Sequence, residues 1–240
     1  MEIDKIIKKV QDQRSLADKS TIKPIYHPNE IRTFFVQVLD KIILEKSEGY
    51  RGLEQNPEIL TAIDLICQYL NNEKEFLSVE GRSFSKGLWL YGSFGSGKTA
   101  LIMAYREAKR ILFGEIVGLK TCVDMNDAFM KFDADTNERS RYLGIQAYAN
   151  KNDKKEKIFD DLGAEETTVQ DYGNKLCVMN YILTERHKGY PRVKTHVTTN
   201  LTRAQVDDYY GGRLESRMYE MFNIIRLGGS VDSIDHRKQK

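Results

Sequence analysis

The stretch Gly87-Leu88-Trp89-Leu90-Tyr91-Gly92-Ser93-Phe94-Gly95-Ser96-Gly97-Lys98-Thr99 decides the fold. Its opening, Gly87 to Tyr91, is an apolar run of the length that a short buried strand takes. Gly92 to Thr99 then satisfy every fixed position of the phosphate-loop pattern GxxxxGK[ST], and helix-forming residues follow from Lys98 to about Ile111. The spacing has a chemical reason. Glycines let the backbone curl so that several N–H groups point inward at phosphate oxygens. The helix that opens at the loop adds its positive N-terminal end. Lys98 would reach the β- and γ-phosphates of a nucleoside triphosphate, and the Thr99 hydroxyl would ligate Mg²⁺. A flexible Gly/Ser loop could match by accident, with odds of roughly one in a hundred at average composition. The strand before the loop and the helix after it are the context the functional reading requires. The candidate nucleotide-binding set is therefore Gly92, Ser93, Phe94, Gly95, Ser96, Gly97, Lys98, Thr99 and Ala100, with ATP and Mg²⁺ as the expected ligands.

Working outward, strand-like and helix-like segments alternate. Asn56-Pro57-Glu58 starts a helix with a capping Asn, a first-turn Pro and an acid. Its apolar face continues through Ile59, Ile63, Ile66 and Leu70. After the loop, Leu119–Val123 reads as a second strand, 124–133 and 139–150 as helices, and Ile158-Phe159 as the end of a third strand. Residues 173–187 read as a helix, 193–199 as a fourth strand, 212–221 as a helix and Asn223–Leu227 as a last strand. Alternation of this kind predicts a parallel α/β sheet. Glu156-Lys157 leave only two apolar residues ahead of the third strand's acids, so that strand is expected to be short or near an edge.

Residues 1–50 read as a helical N-terminal extension that binds a partner, and 51–240 as the ATPase domain. Within the extension, 2–19 look helical but polar. Pro24 and Pro28 mark a linker, and Ile31, Phe34, Phe35, Val38, Leu39, Ile42 and Ile43 form a helical stripe. Two fates are open for the stripe: packing on the rest of the chain, or docking into a groove on a partner.

A phosphate loop needs a second acid at the end of a neighbouring strand. Ile158-Phe159-Asp160-Asp161-Leu162-Gly163 offers Asp160 as the Mg²⁺-side acid and Asp161 as the base that polarises water. A plain strand-to-turn junction is the alternative. Val197-Thr198-Thr199-Asn200 ends the next strand, where Asn200 either orients water near the γ-phosphate or caps the helix from Thr202 onward. In Gly211-Gly212-Arg213-Leu214-Glu215-Ser216-Arg217, two arginines lie at i and i+4. An arginine supplied by a neighbouring subunit accelerates phosphoryl transfer roughly 10³–10⁵-fold. Arg217 is the favoured candidate and Arg213 the second, a solvated Arg/Glu face being the alternative.

The bulk numbers restrict the setting. The 240 residues suffice for one core and a small extension. With 40% hydrophobic and 30% charged residues, the chain is an ordinary globular sequence, and a net charge of +2 makes no case for nucleic acid at the whole-chain level. Cys67, Cys122 and Cys177 are odd in number and far apart, which fits neither a disulfide framework nor a zinc site and points to a reducing cytoplasm. The charged N-terminus has no apolar signal core, and no run has membrane-spanning length.

In this order, GSFGSGKT, IFDDLG, VTTN and GGRLESR resemble the AAA+ ATPases of the DnaC/IstB type. The helix Asn180–Arg186 also looks like one from that family. The resemblance covers about residues 51–229 and implies an α/β fold: a P-loop NTPase three-layer αβα sandwich with a five-stranded parallel sheet in order 5-1-4-3-2. A C-terminal lid is not expected, because the chain ends soon after its last strand. The resemblance further implies an ATP-dependent homo-oligomer and one of two jobs: loading a replicative helicase onto single-stranded DNA, or assisting a transposase in choosing a DNA target. A slow nucleotide-dependent binding switch is a third possibility. A DNA-facing role is implied for 124–156, with Lys131, Arg139, Arg141 and Tyr142, where a solvated amphipathic face is the alternative.

Overall fold

The computed structural model describes residues 26–46, 56–131, 138–166, 168–171, 174–191 and 193–228. The expected helix over 2–19 lies outside them. The chain divides into two compact units. One takes in the chain up to Glu80, Gly95–Val117 and the chain from Leu227; the other is Gly81–Phe94 with Gly118–Arg226.

The first unit is helical. It contains α1 (Pro28–Lys46), α2 (Pro57–Asn71), a 3₁₀ turn (Lys74–Ser78) and α3 (Lys98–Phe113). Asn56 caps α2 as expected, its side chain accepting the Glu58 N–H at 2.9 Å. The α1 stripe is packed: Ile31, Phe34, Phe35, Val38, Leu39 and Ile43 are buried, and α1 lies against both α2 and α3. Tyr26 pins the start of α1, exchanging backbone bonds with the Asn71 side chain (3.0 and 2.8 Å) and donating its hydroxyl to Leu112 O at 3.2 Å. Arg32 pairs with Asp64 of α2 at 2.5 Å. Of the two fates open to the stripe, the structure shows the packed one.

The second unit holds the sheet. Its strands are β1 (Gly87–Gly92), β2 (Gly118–Thr121), β3 (Lys157–Leu162), β6 (Thr195–Thr199) and β7 (Phe222–Leu227), in the order β2-β3-β6-β1-β7. Counting these five along the chain gives 2-3-4-1-5, the implied order read from the other edge. β2 and β3, β3 and β6, and β6 and β1 pair in parallel. Gly87 is required by this pairing, since a Cβ there would meet Thr195 O at 1.4 Å. Helices α4 (Cys122–Met130), α5 (Glu138–Ala149), α6 (Val178–His187), α7 (Arg203–Tyr210) and α8 (Gly212–Met221) complete the unit. Trp89, Phe129, Phe159, Met179, Leu183, Val197, Leu214 and Met218 are buried together in its core.

Three local expectations need correction. β3 is neither short nor at an edge: it runs Lys157–Leu162 between β2 and β6. The charges that argued otherwise are paired off. Glu156 meets His196 Nε2 at 2.5 Å, while Lys157 forms an ion pair with Asp153 and donates to Ala147 O at 2.5 Å. β2 stops at Thr121 rather than running through Val123, because Thr121 and Asp124 form a reciprocal capping box that opens α4. Residues 174–176 are β5, which pairs antiparallel with β4 (Val169–Asp171); α6 starts only at Val178.

Candidate nucleotide-binding site

The phosphate loop leaves β1 and opens α3. Gly95 and Gly97 have φ of 73° and 88°, a region that L side chains avoid. Gly97 is the N-cap of α3, and its carbonyl takes the first helical bond, from Leu101 N at 2.9 Å. Lys98 is buried, and its ammonium donates to Ser96 Oγ at 3.2 Å. Ser96 is buried as well, whereas Phe94 is 67% exposed. The loop's N-terminal end departs from the C-terminal edge of the sheet, where Tyr91 is paired with Thr199.

That same edge carries the acids. β3 and β6 keep register at Phe159↔Val197 and resume it at Leu162↔Thr199, so Asp160 and Asp161 together face Thr198. This is a β-bulge, a device that re-aims side chains at a strand end. Asp161 is at φ 57°, one of two non-glycine residues with positive φ among those described. Thr198 joins the pair: its hydroxyl donates to Asp160 Oδ1 at 2.5 Å and accepts the Asp161 N–H at 2.9 Å. Asp160 is buried and Asp161 half-buried.

The turn after β3 is held by Glu165. Its carboxylate accepts the Gly163 N–H at 2.8 Å and the Tyr210 hydroxyl at the end of α7. Burial pushes the Glu165 carboxyl above its ordinary range, and burial with the nearby Glu165 charge pushes the Tyr210 phenol up. Thr199 closes the end of β6, donating to Leu162 O at 2.6 Å and accepting the Leu201 N–H at 3.0 Å.

Asn200 follows directly, and its Oδ1 is buried without a hydrogen-bond partner. The helix cap that could have explained Asn200 is made by another residue: Thr202 caps α7 in a reciprocal box with Gln205. Burying an unsatisfied amide oxygen costs roughly 1–3 kcal/mol. An unmet acceptor at the edge that carries the acids fits a water molecule held there, whose O–H would donate to it, such as one bound to Mg²⁺ or positioned beside a phosphate.

The two arginines are both in α8 but in unlike settings. Arg217 is half-buried and donates to Thr184 Oγ1 of α6 at 2.8 Å, while Arg213 is exposed. In the segment considered for DNA, Lys131 is exposed, and Tyr142 packs edge-on against Phe129 and Tyr181 at 5.4 and 5.1 Å. The side chains of Arg139 and Arg141 lie outside the described residues.

No protein-family model matches the sequence, and no curated protein does. Solved structures match across most of the chain. The crystal structure of DnaI superposes with a TM-score of 0.50 at 22% identity, covering 84% of this chain and 93% of that one. A Streptococcus pyogenes serotype M3 protein described as a primosome component gives 0.50 at 21% identity, over 80% and 96%. The fold is the one these two structures share, an α/β fold with a five-stranded sheet. The crystal structure of the DnaC helicase loader itself aligns at 22% identity over 72% of this chain and 92% of that one, with a TM-score of 0.48. Identities in this range speak for the fold alone. Among the described residues, no helix is long and apolar enough to cross a membrane.

Sequence reading missed Thr198, Thr199, Glu165 and Tyr210. The first two stood inside the quoted VTTN run, but Thr in a strand also reads as ordinary β-propensity. Glu165 and Tyr210 are far apart in sequence, and nothing in their spacing announces the contact.

Proposed function

We propose that this chain binds and hydrolyses ATP with Mg²⁺ and works as a loader for a replicative helicase. The observation that carries the reading is the constellation at the C-terminal edge of β3 and β6: Asp160 and Asp161, both bonded by Thr198, with the unpartnered Asn200 amide oxygen at the end of β6. The edge is adjacent to the strand that feeds a full phosphate-loop sequence.

In this reading, N–H groups of Gly92 through Ala100 hold the phosphate oxygens, and Lys98 supplies the positive charge for the β- and γ-phosphates. Thr99 and Asp160 hold Mg²⁺, which when bound neutralises phosphate charge as it builds up in transfer. Asp161 takes a proton from the attacking water, and the Asn200 amide orients that water. An arginine from a neighbouring subunit completes the site. Arg213 is the freer of the two candidates, since the Arg217 guanidinium is engaged by Thr184.

The loader role rests on the fold shared with DnaI and with the primosome component. The test is gel filtration of the chain with a hexameric replicative helicase and single-stranded DNA, with and without ATP. Co-elution that depends on ATP is expected. No association with the helicase, together with ATP-dependent association with a transposase, would overturn the loader role and leave the ATPase reading standing.

A further inference from the structure

A parallel strand pair in register alternates its side chains between the two faces of the sheet. If β3 kept register past Phe159, Asp160 and Asp161 would be sent to opposite faces, and two neighbouring acids could not serve one site. The bulge breaks the alternation by setting both acids against Thr198 alone. It also takes the Asp161 N–H out of the regular ladder and turns the residue to φ 57°. A left-handed turn is unfavourable for most side chains and needs surrounding structure to hold it.

Thr198 does that holding. It is fully buried, and its single hydroxyl meets both acids: the Asp161 N–H gives it a hydrogen at 2.9 Å, and it gives its own to Asp160 Oδ1 at 2.5 Å. The second bond engages Oδ1 and fixes the plane of the carboxylate. Outer partners of this kind orient a metal-ligating carboxylate, and their loss typically costs about 10–100-fold in metal affinity or activity.

We infer that Thr198 is a positioning residue for the nucleotide site, holding the metal-side acid Asp160 and the water-activating acid Asp161 in one geometry through its hydroxyl. This inference rests on the ATPase reading above. Valine keeps the shape and loses both hydrogen bonds, while serine keeps both and loses a methyl group.

The experiment titrates Mg²⁺ against wild type, Thr198→Val and Thr198→Ser in the presence of a fluorescent ATP analogue. Phosphate release and the melting temperature are followed in parallel. Thr198→Val is expected to need at least about ten-fold more Mg²⁺ for half-maximal nucleotide binding and to turn over at least about ten-fold more slowly. Thr198→Ser is expected to restore both. If Thr198→Val does not fold, Thr198→Cys carries the same test with a weak donor of similar size to serine. A folded Val or Cys variant with the wild-type Mg²⁺ requirement and turnover would overturn the inference even if it melts lower, because a purely structural threonine behaves that way. A wild-type chain that binds no nucleotide at any Mg²⁺ concentration would overturn the ATPase reading, and this inference with it.

Discussion

Asp160 and Asp161 are neighbours in sequence with unequal surroundings, and this inequality is in keeping with the separate roles proposed for them. Asp160 is buried against the Thr198 hydroxyl; Asp161 is half-buried in a left-handed turn. If Asp161 acts only on the water, Asp161→Asn should bind a fluorescent ATP analogue within about two-fold of wild type and release phosphate at least about a hundred-fold more slowly. Wild-type phosphate release by that variant would remove Asp161 from the reaction. Glu165 gives a prediction in pH. Its carboxyl is raised from an ordinary 4.5, chiefly by burial, so the folded chain keeps that proton to higher pH than the unfolded chain. The linked stability is complete below about 4.5 and is lost as pH rises through the folded value. In thermal melts, the advantage of wild type over Glu165→Gln should therefore shrink as pH rises from about 4.5 toward neutrality. An advantage that grows over that range would contradict the burial account.

At the scale of elements, the helix α1 shows what a one-dimensional pattern can and cannot say. The stripe Ile31 to Ile43 was legible as a helix with an apolar face, but its occupant was not, since periodicity reports a face and never its partner. The structure fills it with α2 and α3. Each buried side chain of this size is worth roughly 1.5–3 kcal/mol. A chain starting at residue 51 should accordingly precipitate, or melt at least about 10 °C below the full chain. A soluble truncated chain melting with the full one would return the stripe to the role of a partner hook. The sheet was readable for a similar reason: its strand ends carry the motifs, and a motif fixes both residue and context. β3 shows the limit. Glu156 and Lys157 looked wrong for an interior strand because their partners, His196 and Asp153, are found by folding and not by spacing. β5 falls inside the stretch 173–187 that reads as a helix, because a strand of three residues is too short to show a period.

For the whole molecule, a site that needs an arginine from a neighbour makes catalysis depend on assembly. Hydrolysis per subunit should rise with protein concentration. Arg213→Ala should bind ATP nearly as wild type does and hydrolyse it at least about a thousand-fold more slowly, within the range of an arginine supplied in trans. Hydrolysis per subunit that is independent of concentration would mark a self-sufficient monomer. All of this presupposes that the loop from Gly92 to Thr99 holds the phosphates of ATP. The most direct measurement is fluorescent-ATP binding beside phosphate release, for wild type and for Lys98→Ala. Wild type should bind and turn over. Lys98→Ala, having lost a charge-assisted phosphate contact, should bind at least about ten-fold more weakly and release no phosphate above background. Equal binding and turnover by the two proteins, or no binding by either, would contradict the account.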